Sequence, residues 1–203
     1  KKATKNDVTD LLTENGHTMS ITLAKGQTYC VAFWAQNPEC EAYTISDDMK
    51  VTIDYTGVNN DELRDAFTAV TEPFTVDGDN VISVILRRPF AQVNVGVTAE
   101  DWEAAVASGI NIENSAVEIK NVANEINLLT GAVSGNETVA TYTSNAIPEE
   151  TLYVETDETK DGKESYKWLS MSYILTDESK STLDSDGLQF TLMADNGTSY
   201  TLN

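Results

Sequence analysis

The 203-residue sequence holds one histidine, two cysteines and three arginines, and none of its apolar runs approaches the roughly 18–20 residues needed to cross a bilayer. Each scarcity removes a class of function. A Ser-His-Asp or Cys-His centre would have to be built wholly on His17, in the polar stretch Glu14-Asn15-Gly16-His17-Thr18. No G-x-S-x-G and no activated Ser or Cys accompanies it, so a turn histidine is the simpler reading. Cys30 and Cys40, with nine residues between them, have neither CxxC nor Cys/His zinc spacing and are too few for a disulfide scaffold. A local Cys30–Cys40 bridge in an exported protein and a pair of half-buried thiols both stay open. Positive charge is scarce too: 13 Lys+Arg stand against 33 Asp+Glu, a net charge of −20. Such a chain is repelled by DNA, RNA and anionic lipid, which argues against nucleic-acid partners.

Hydrophobic residues make up 40 % of the chain, enough for a packed core in one large domain or two of about 100 residues. Strand patterns dominate. Met49, Val51, Ile53 and Tyr55 alternate with polar residues, and so do Leu188, Phe190, Leu192 and Ala194. Leu169, Met171, Tyr173 and Leu175 share a face. Tyr29–Ala35, Val81–Leu86 and Ala91–Val97 are more continuously apolar and read as interior strands. Asn196-Gly197 before Ser199–Leu202 reads as a type I′ hairpin turn. Two segments read as short helices. One follows a capping Thr98, with Trp102, Ala105 and Val106 on one face and Gly109 as its stop; the other is Asp61–Ala69. Many strands with two short helices predict an all-β (minor α) fold of the β-sandwich kind.

A domain boundary is expected near residues 77–90, where Asp77-Gly78-Asp79-Asn80 makes a turn and Arg88-Pro89 breaks a strand. It divides the chain into 1–86 and 87–203. Net charge is −6 over residues 1–88 and −14 over 89–203, concentrated at Glu149–Glu164, which reads as a solvated hairpin or loop. The chain starts at Lys1-Lys2 and stops at Thr201-Leu202-Asn203 inside an expected strand. It is therefore expected to be a piece of a longer precursor, with any targeting segment outside it.

The candidate sites are few. Asp184-Ser185-Asp186-Gly187 and Asp77-Gly78-Asp79-Asn80 resemble fragments of calcium loops, but neither carries the full ligand spacing and both suit ordinary turns. Asn136 and Asn196 begin N-x-T sequons. Trp34 and Trp102 read as core. Trp168, opposite the Leu169/Met171/Tyr173 face, is expected to be the exposed tryptophan and, with Tyr166, the pair to test for ligand stacking. A cross-strand aromatic pair is the bland alternative. Thirty-three carboxylates guarantee some close pairs, and a solvated acidic surface explains them better than a glycosidase site. No catalytic residue, metal site or cofactor is assigned.

The run Val84-Ile-Leu-Arg-Arg88-Pro89-Phe90-Ala91-Gln92-Val-Asn-Val-Gly96 resembles the L-x-R-P-F-A-Q stretch of Bacteroidales surface proteins related to fimbrillins. Tyr29-Cys-Val-Ala-Phe-Trp34-Ala-Gln36, Asp65-Ala66-Phe67, Asp101-Trp102, Asn127–Gly131 and Tyr173-Ile174-Leu175 are similar to further pieces in the same order, so the resemblance covers most of the chain. It implies two tandem transthyretin-like Greek-key β-sandwich domains, the first incomplete at its start and the second at its end. It also implies export as a lipoprotein to the outer membrane, cell surface or fimbrium. The function implied is non-enzymatic: a fimbrial subunit, anchor or tip component that takes other subunits by donor-strand addition. A monomeric surface lipoprotein binding a glycan or host protein is the alternative. Trp34, Phe67, Arg88, Pro89, Phe90, Ala91 and Gln92 carry structural roles in this reading, with Phe90 anchoring the first strand of the second domain.

Overall fold

The computed structural model describes residues 20–149, 151–155, 163–176, 183 and 186–203. Its first half contains β1 (Thr28–Tyr29), β2 (Ala32–Gln36), β3 (Tyr43–Ile45), β4 (Lys50–Ile53), β5 (Thr56–Val58), a 3-10 turn at Glu62–Arg64, β6 (Ala66–Val70) and β7 (Phe74–Thr75). There follow β8 (Phe90–Thr98), the helix α1 (Ala99–Ala107), β9 (Ile112–Val122), β10 (Glu125–Asn127), β11 (Val133–Ser134), β12 (Thr138–Ala146), β13 (Thr151–Glu155), β14 (Lys163–Leu175), β15 (Leu188–Ala194) and β16 (Ser199–Leu202).

The protein is an all-β sandwich, with one α-helix among the described residues. A five-stranded sheet, β16-β15-β9-β12-β5, faces a three-stranded sheet, β13-β14-β8. Val117, Ile119, Ala140, Tyr142 and Phe190 of the first sheet and Phe90, Leu169, Met171 and Tyr173 of the second belong to one buried cluster. The Tyr142 hydroxyl donates across the sandwich to the Tyr173 carbonyl at 2.6 Å. Burying a side chain such as Phe90 contributes about 2–3 kcal/mol relative to leaving it in water.

The same cluster takes in Val51, Ile53 and Tyr55. A four-stranded sheet, β11-β10-β4-β3, draws its strands from both halves of the sequence, with Val51 opposite Ile126. Tyr55 ties this sheet to the sandwich: its hydroxyl donates to the Ala123 carbonyl at 2.6 Å and accepts from the Leu175 amide at 2.8 Å. Pairs β1-β7 and β2-β6 complete the described sheets.

The alternating segments at 49–55, 169–175 and 188–194 and the apolar run 91–97 are strands, as expected. α1 also begins as predicted, with Thr98 Oγ1 accepting from the Asp101 amide at 3.2 Å. The acidic stretch after Glu149 forms hairpin arms in which Glu155 pairs with Lys163.

Four local expectations are corrected. Asp61–Ala69 is not a helix. Asp61 caps one 3-10 turn, and the chain then enters β6, because the run Ala66–Val70 gains a ladder with β2 that a helix would forgo. Tyr29–Ala35 is not one strand. It breaks at Cys30-Val31, where Val31 bonds to Thr71 and the flanking pieces take different partners. Val81–Leu86 is not an interior strand: among the described residues the chain here pairs only at Arg87, through one bridge to Thr68.

The last hairpin lies where expected, but its loop has three residues. Asn196 does not take a positive φ, whereas Gly197 does at +82°. The Gly197 amide donates to the Ala194 carbonyl at 3.0 Å and the Ala194 amide to the Thr198 carbonyl at 2.9 Å. This is a type I turn closed by a left-handed glycine bulge, not type I′.

Candidate functional site

Two constructions and one open edge stand out. The first joins the resemblance residues. Arg88 donates both Nε and Nη2 to the Asp65 carboxylate, at 2.7 and 2.6 Å. Its guanidinium lies over the Phe67 ring at 5.6 Å and the Tyr173 ring at 5.9 Å. The Asp65 hydrogen bonds raise the Arg88 pKa further, and burial raises that of Tyr173. Beyond Pro89, Phe90 is buried against Trp34 (6.3 Å, edge-on) and Tyr43 (5.6 Å). Ala91 and Gln92 pair with Ile174 and Tyr173 on β14. The structure thus brings Trp34, Phe67, Arg88 and Phe90 to one place, where β2, β6, β8 and β14 meet. The sequence reading missed Asp65 as the partner of Arg88, although it stood in a quoted motif.

The second construction is polar and buried. β5 pairs with β12 in parallel, and the chain then drives Asn59-Asn60 between the two sheets of the sandwich. Asn59 is 1 % exposed. Its Nδ2 donates to Ser115 Oγ (2.9 Å) and Ser170 Oγ (2.8 Å), and its Oδ1 accepts from Ser172 Oγ (2.9 Å). Asn60, at φ +58°, donates to the Ala146 carbonyl and accepts from the Met171 amide. Nothing in the local sequence marks this insertion, because the partners lie up to 113 residues away.

Arg64, also buried, secures the entry to this insertion. Its Nη1 and Nη2 donate to the Asp54 and Thr56 carbonyls (2.8 and 2.6 Å), and its guanidinium lies 5.1 Å from the Tyr142 ring centre. Its Nε faces the Asp61 carboxylate at 3.5 Å. Gly57, at φ +151°, admits the guanidinium: a Cβ there would overlap Arg64 Nη2. Glu39, Glu41, Asp54 and Asp61 line an open cleft of about 430 Å³ above Arg64. Hydrogen bonds from the Thr56 hydroxyl and amide hold Asp54 below the usual carboxylate range. Burial pushes up the Cys40 thiol on the same wall. Cys40 is buried, Cys30 is exposed, and both are free cysteines.

The open edge belongs to β8. Among the described residues it pairs with β14 on one side only, and its nine residues carry no charge. Val93, Val95 and Val97 pack on the core.

The other sequence candidates are dispersed. Trp168 is half-buried against the core, opposite Gly96, and its Nε1–H is enclosed without an acceptor among the described residues. It is thus not the exposed tryptophan expected, because a bulge at Leu169 shifts the strand's alternation. Tyr166 pairs with Thr98. Asp77, Asp79 and Asp186 are exposed; Asp184 and His17 lie outside the described residues. Among the described residues no three His, Cys, Asp or Glu side chains converge as metal ligands. Among them, too, no helix is long and apolar enough to cross a membrane.

A family model described as "Family of unknown function (DUF6562)" matches residues 1–203. No curated protein matches the sequence. Among solved structures, the chain is similar to a candidate adhesin from Bacteroides thetaiotaomicron, at TM-score 0.49 and 14 % identity over 93 % of this chain and 63 % of that one. It is also similar to a candidate adhesin from Bacteroides ovatus, at TM-score 0.38 and 9 % identity over 86 % of this chain and 63 % of that one. The chain spans under two thirds of the length of either.

Proposed function

The chain belongs to the DUF6562 family of unknown function, and we propose that it is a non-enzymatic cell-surface adhesion protein of the fimbrillin kind, a fimbrial subunit, anchor or tip component. The observation that carries this reading is the edge of β8. Edge strands are templates for further pairing, and soluble proteins commonly block them with charge, proline or a covering segment. Phe90–Thr98 has no charge and no proline within it and offers one ladder side. A strand from another subunit would bond to its free amides and carbonyls, with affinity from the backbone and specificity from alternate side chains. The resemblance of the Arg88–Gly96 run to fimbrillin-type proteins supports the same reading, as does the placing of Arg88 and Phe90 as the fixed base from which β8 starts. Export as a lipoprotein and residence at the outer membrane or in a fimbrium belong to this proposal, and so does the division into domains at 86/87.

The test is an unboiled SDS gel of the full-length protein taken from its own cell surface, beside a boiled sample. A ladder of subunit multiples that collapses on boiling, and that is lost in Asn94→Lys, is the expected result. Lysine on an edge strand discourages pairing. A single monomer band in both lanes overturns strand addition and leaves a monomeric surface protein, for which glycan or host-protein binding would be measured next.

A further inference from the structure

Val81–Leu86 carries six residues without charge in a chain of net charge −20. Among the described residues it belongs to no sheet. Val81 is 97 % exposed, Ile85 77 % and Ile82 44 %, while Val84 and Leu86 are half-buried. From Ser83 to Arg87 exposure alternates with a period of two, as in a strand, and the more exposed face carries Val81, Ser83, Ile85 and Arg87. Among the described residues its only ladder contact is at Arg87, whose amide and carbonyl both bond to Thr68 at 2.9 and 2.8 Å. A β-branched, apolar segment with no ladder partner among those residues is in the state that pairing removes.

Charge flanks it asymmetrically. Asp77 and Asp79 stand on the N-terminal side and Arg87 and Arg88 on the C-terminal side. Arg88 is held by Asp65, whereas Arg87 is exposed and makes no ion pair among the described residues. Acidic, apolar, basic in sequence is a self-complementary order for antiparallel pairing. With Ser83 on the two-fold axis, Val81 of one copy faces Ile85 of the other, and Asp79 faces Arg87. Every facing pair is then on the same surface, and no like charges oppose each other.

We propose that Asp77–Arg87 is a homotypic contact strand by which two copies of this chain associate about a two-fold axis. An isologous contact of this kind closes at two. It therefore differs from head-to-tail strand addition at β8 and does not depend on it. The contact is small, so the dimer belongs to the weak class below about 1,200 Å² of buried surface. The strong negative charge of the chain opposes association of copies in general, and an uncharged segment flanked by both signs reduces that repulsion locally.

The experiment is sedimentation equilibrium of residues 1–203 over a concentration series reaching about 1 mM, a range suited to weak association. Wild type is expected to shift from a 22.2 kDa monomer towards dimer. Asp79→Arg and Arg87→Asp place like charges opposite each other, and each is expected to weaken self-association by about tenfold or more. Mixed one to one, these two variants face each other with opposite charges again and should associate as wild type does. Circular dichroism and thermal melting of each variant confirm the fold. A monomer at every concentration, failure of the mixture to recover association, or self-association unchanged by either charge reversal would each overturn the proposal.

Discussion

The two segments that flank β6 in sequence invert the usual expectation about what lies inside. Asn59-Asn60 is polar, and Asn59 is buried as deeply as Ile119 or Val51. Val81–Leu86 is apolar, yet its outer side chains stand in water. Hydropathy alone would exchange them. The difference is pairing. The Asn59 side chain meets three serine hydroxyls, its amide donates to the Thr143 carbonyl and its carbonyl accepts from Asn145 Nδ2, so it enters with every polar atom satisfied. The apolar segment has a ladder contact only at its end, and hydrophobicity without a strand partner does not place it. Inside a sandwich, hydrogen-bond supply decides position as much as apolar area does.

That contrast can be attacked directly. The largest effect is expected for Asn59→Ala, which leaves Ser115, Ser170 and Ser172 short of a buried partner; unfolding by denaturant should show a loss of about 3–4 kcal/mol. An unchanged midpoint would mean that the asparagine fills space and nothing more. Gly57→Ala is expected to cost about 2 kcal/mol in the same measurement, because the methyl group meets Arg64 at a strained φ. A stability equal to wild type would show that Arg64 can withdraw without loosening the insertion.

A smaller effect tests an exposed polar contact against the buried one. Lys50 Nζ bonds to Glu125 at 2.7 Å, and this bond, with a second from Ser134, depresses the Glu125 pKa. A carboxylate lowered on folding stabilises fully above its ordinary value of 4.5 and loses that contribution as pH falls through the depressed value. Glu125→Gln should therefore flatten this part of the melting temperature's decline with acid, and an identical acid limb would dismiss the pair. The smallest effect is expected for Ile85→Lys in dilute solution, within about 0.5 kcal/mol of wild type. A large loss there would mean that the apolar segment is packed after all, and the contrast with Asn59 would disappear.

Period-two alternation made most of the sandwich legible: it marks β4, β15 and the part of β14 beyond its bulge as strands, and Thr98 with Gly109 framed the helix. The resemblance residues Trp34, Phe67, Arg88 and Phe90 do meet. The misreadings share a cause. At Asp61–Ala69 a local helix signal lost to a ladder with β2, about 34 residues earlier in sequence. At Val81–Leu86 an apolar run found no partner. At Trp168 a one-residue bulge reversed the expected face. Distant pairing decided each, and single-segment patterns do not carry it. The Asn59 insertion was illegible for the same reason, since its serines stand in β9 and β14.

The parallel pairing of β5 with β12 also bears on traction. Thr56, Gly57 and Val58 run beside Thr141, Tyr142 and Thr143 in the same direction. Tension entering from the N-terminal side reaches β5 at Thr56, and tension from the C-terminal side reaches β12 at Ala146. The two pulls are opposed along the strand axis, so the bonds between these strands are sheared together and cannot be peeled one by one. A chain tugged between its two ends would yield there late, with Asn59 acting as a catch behind the strand.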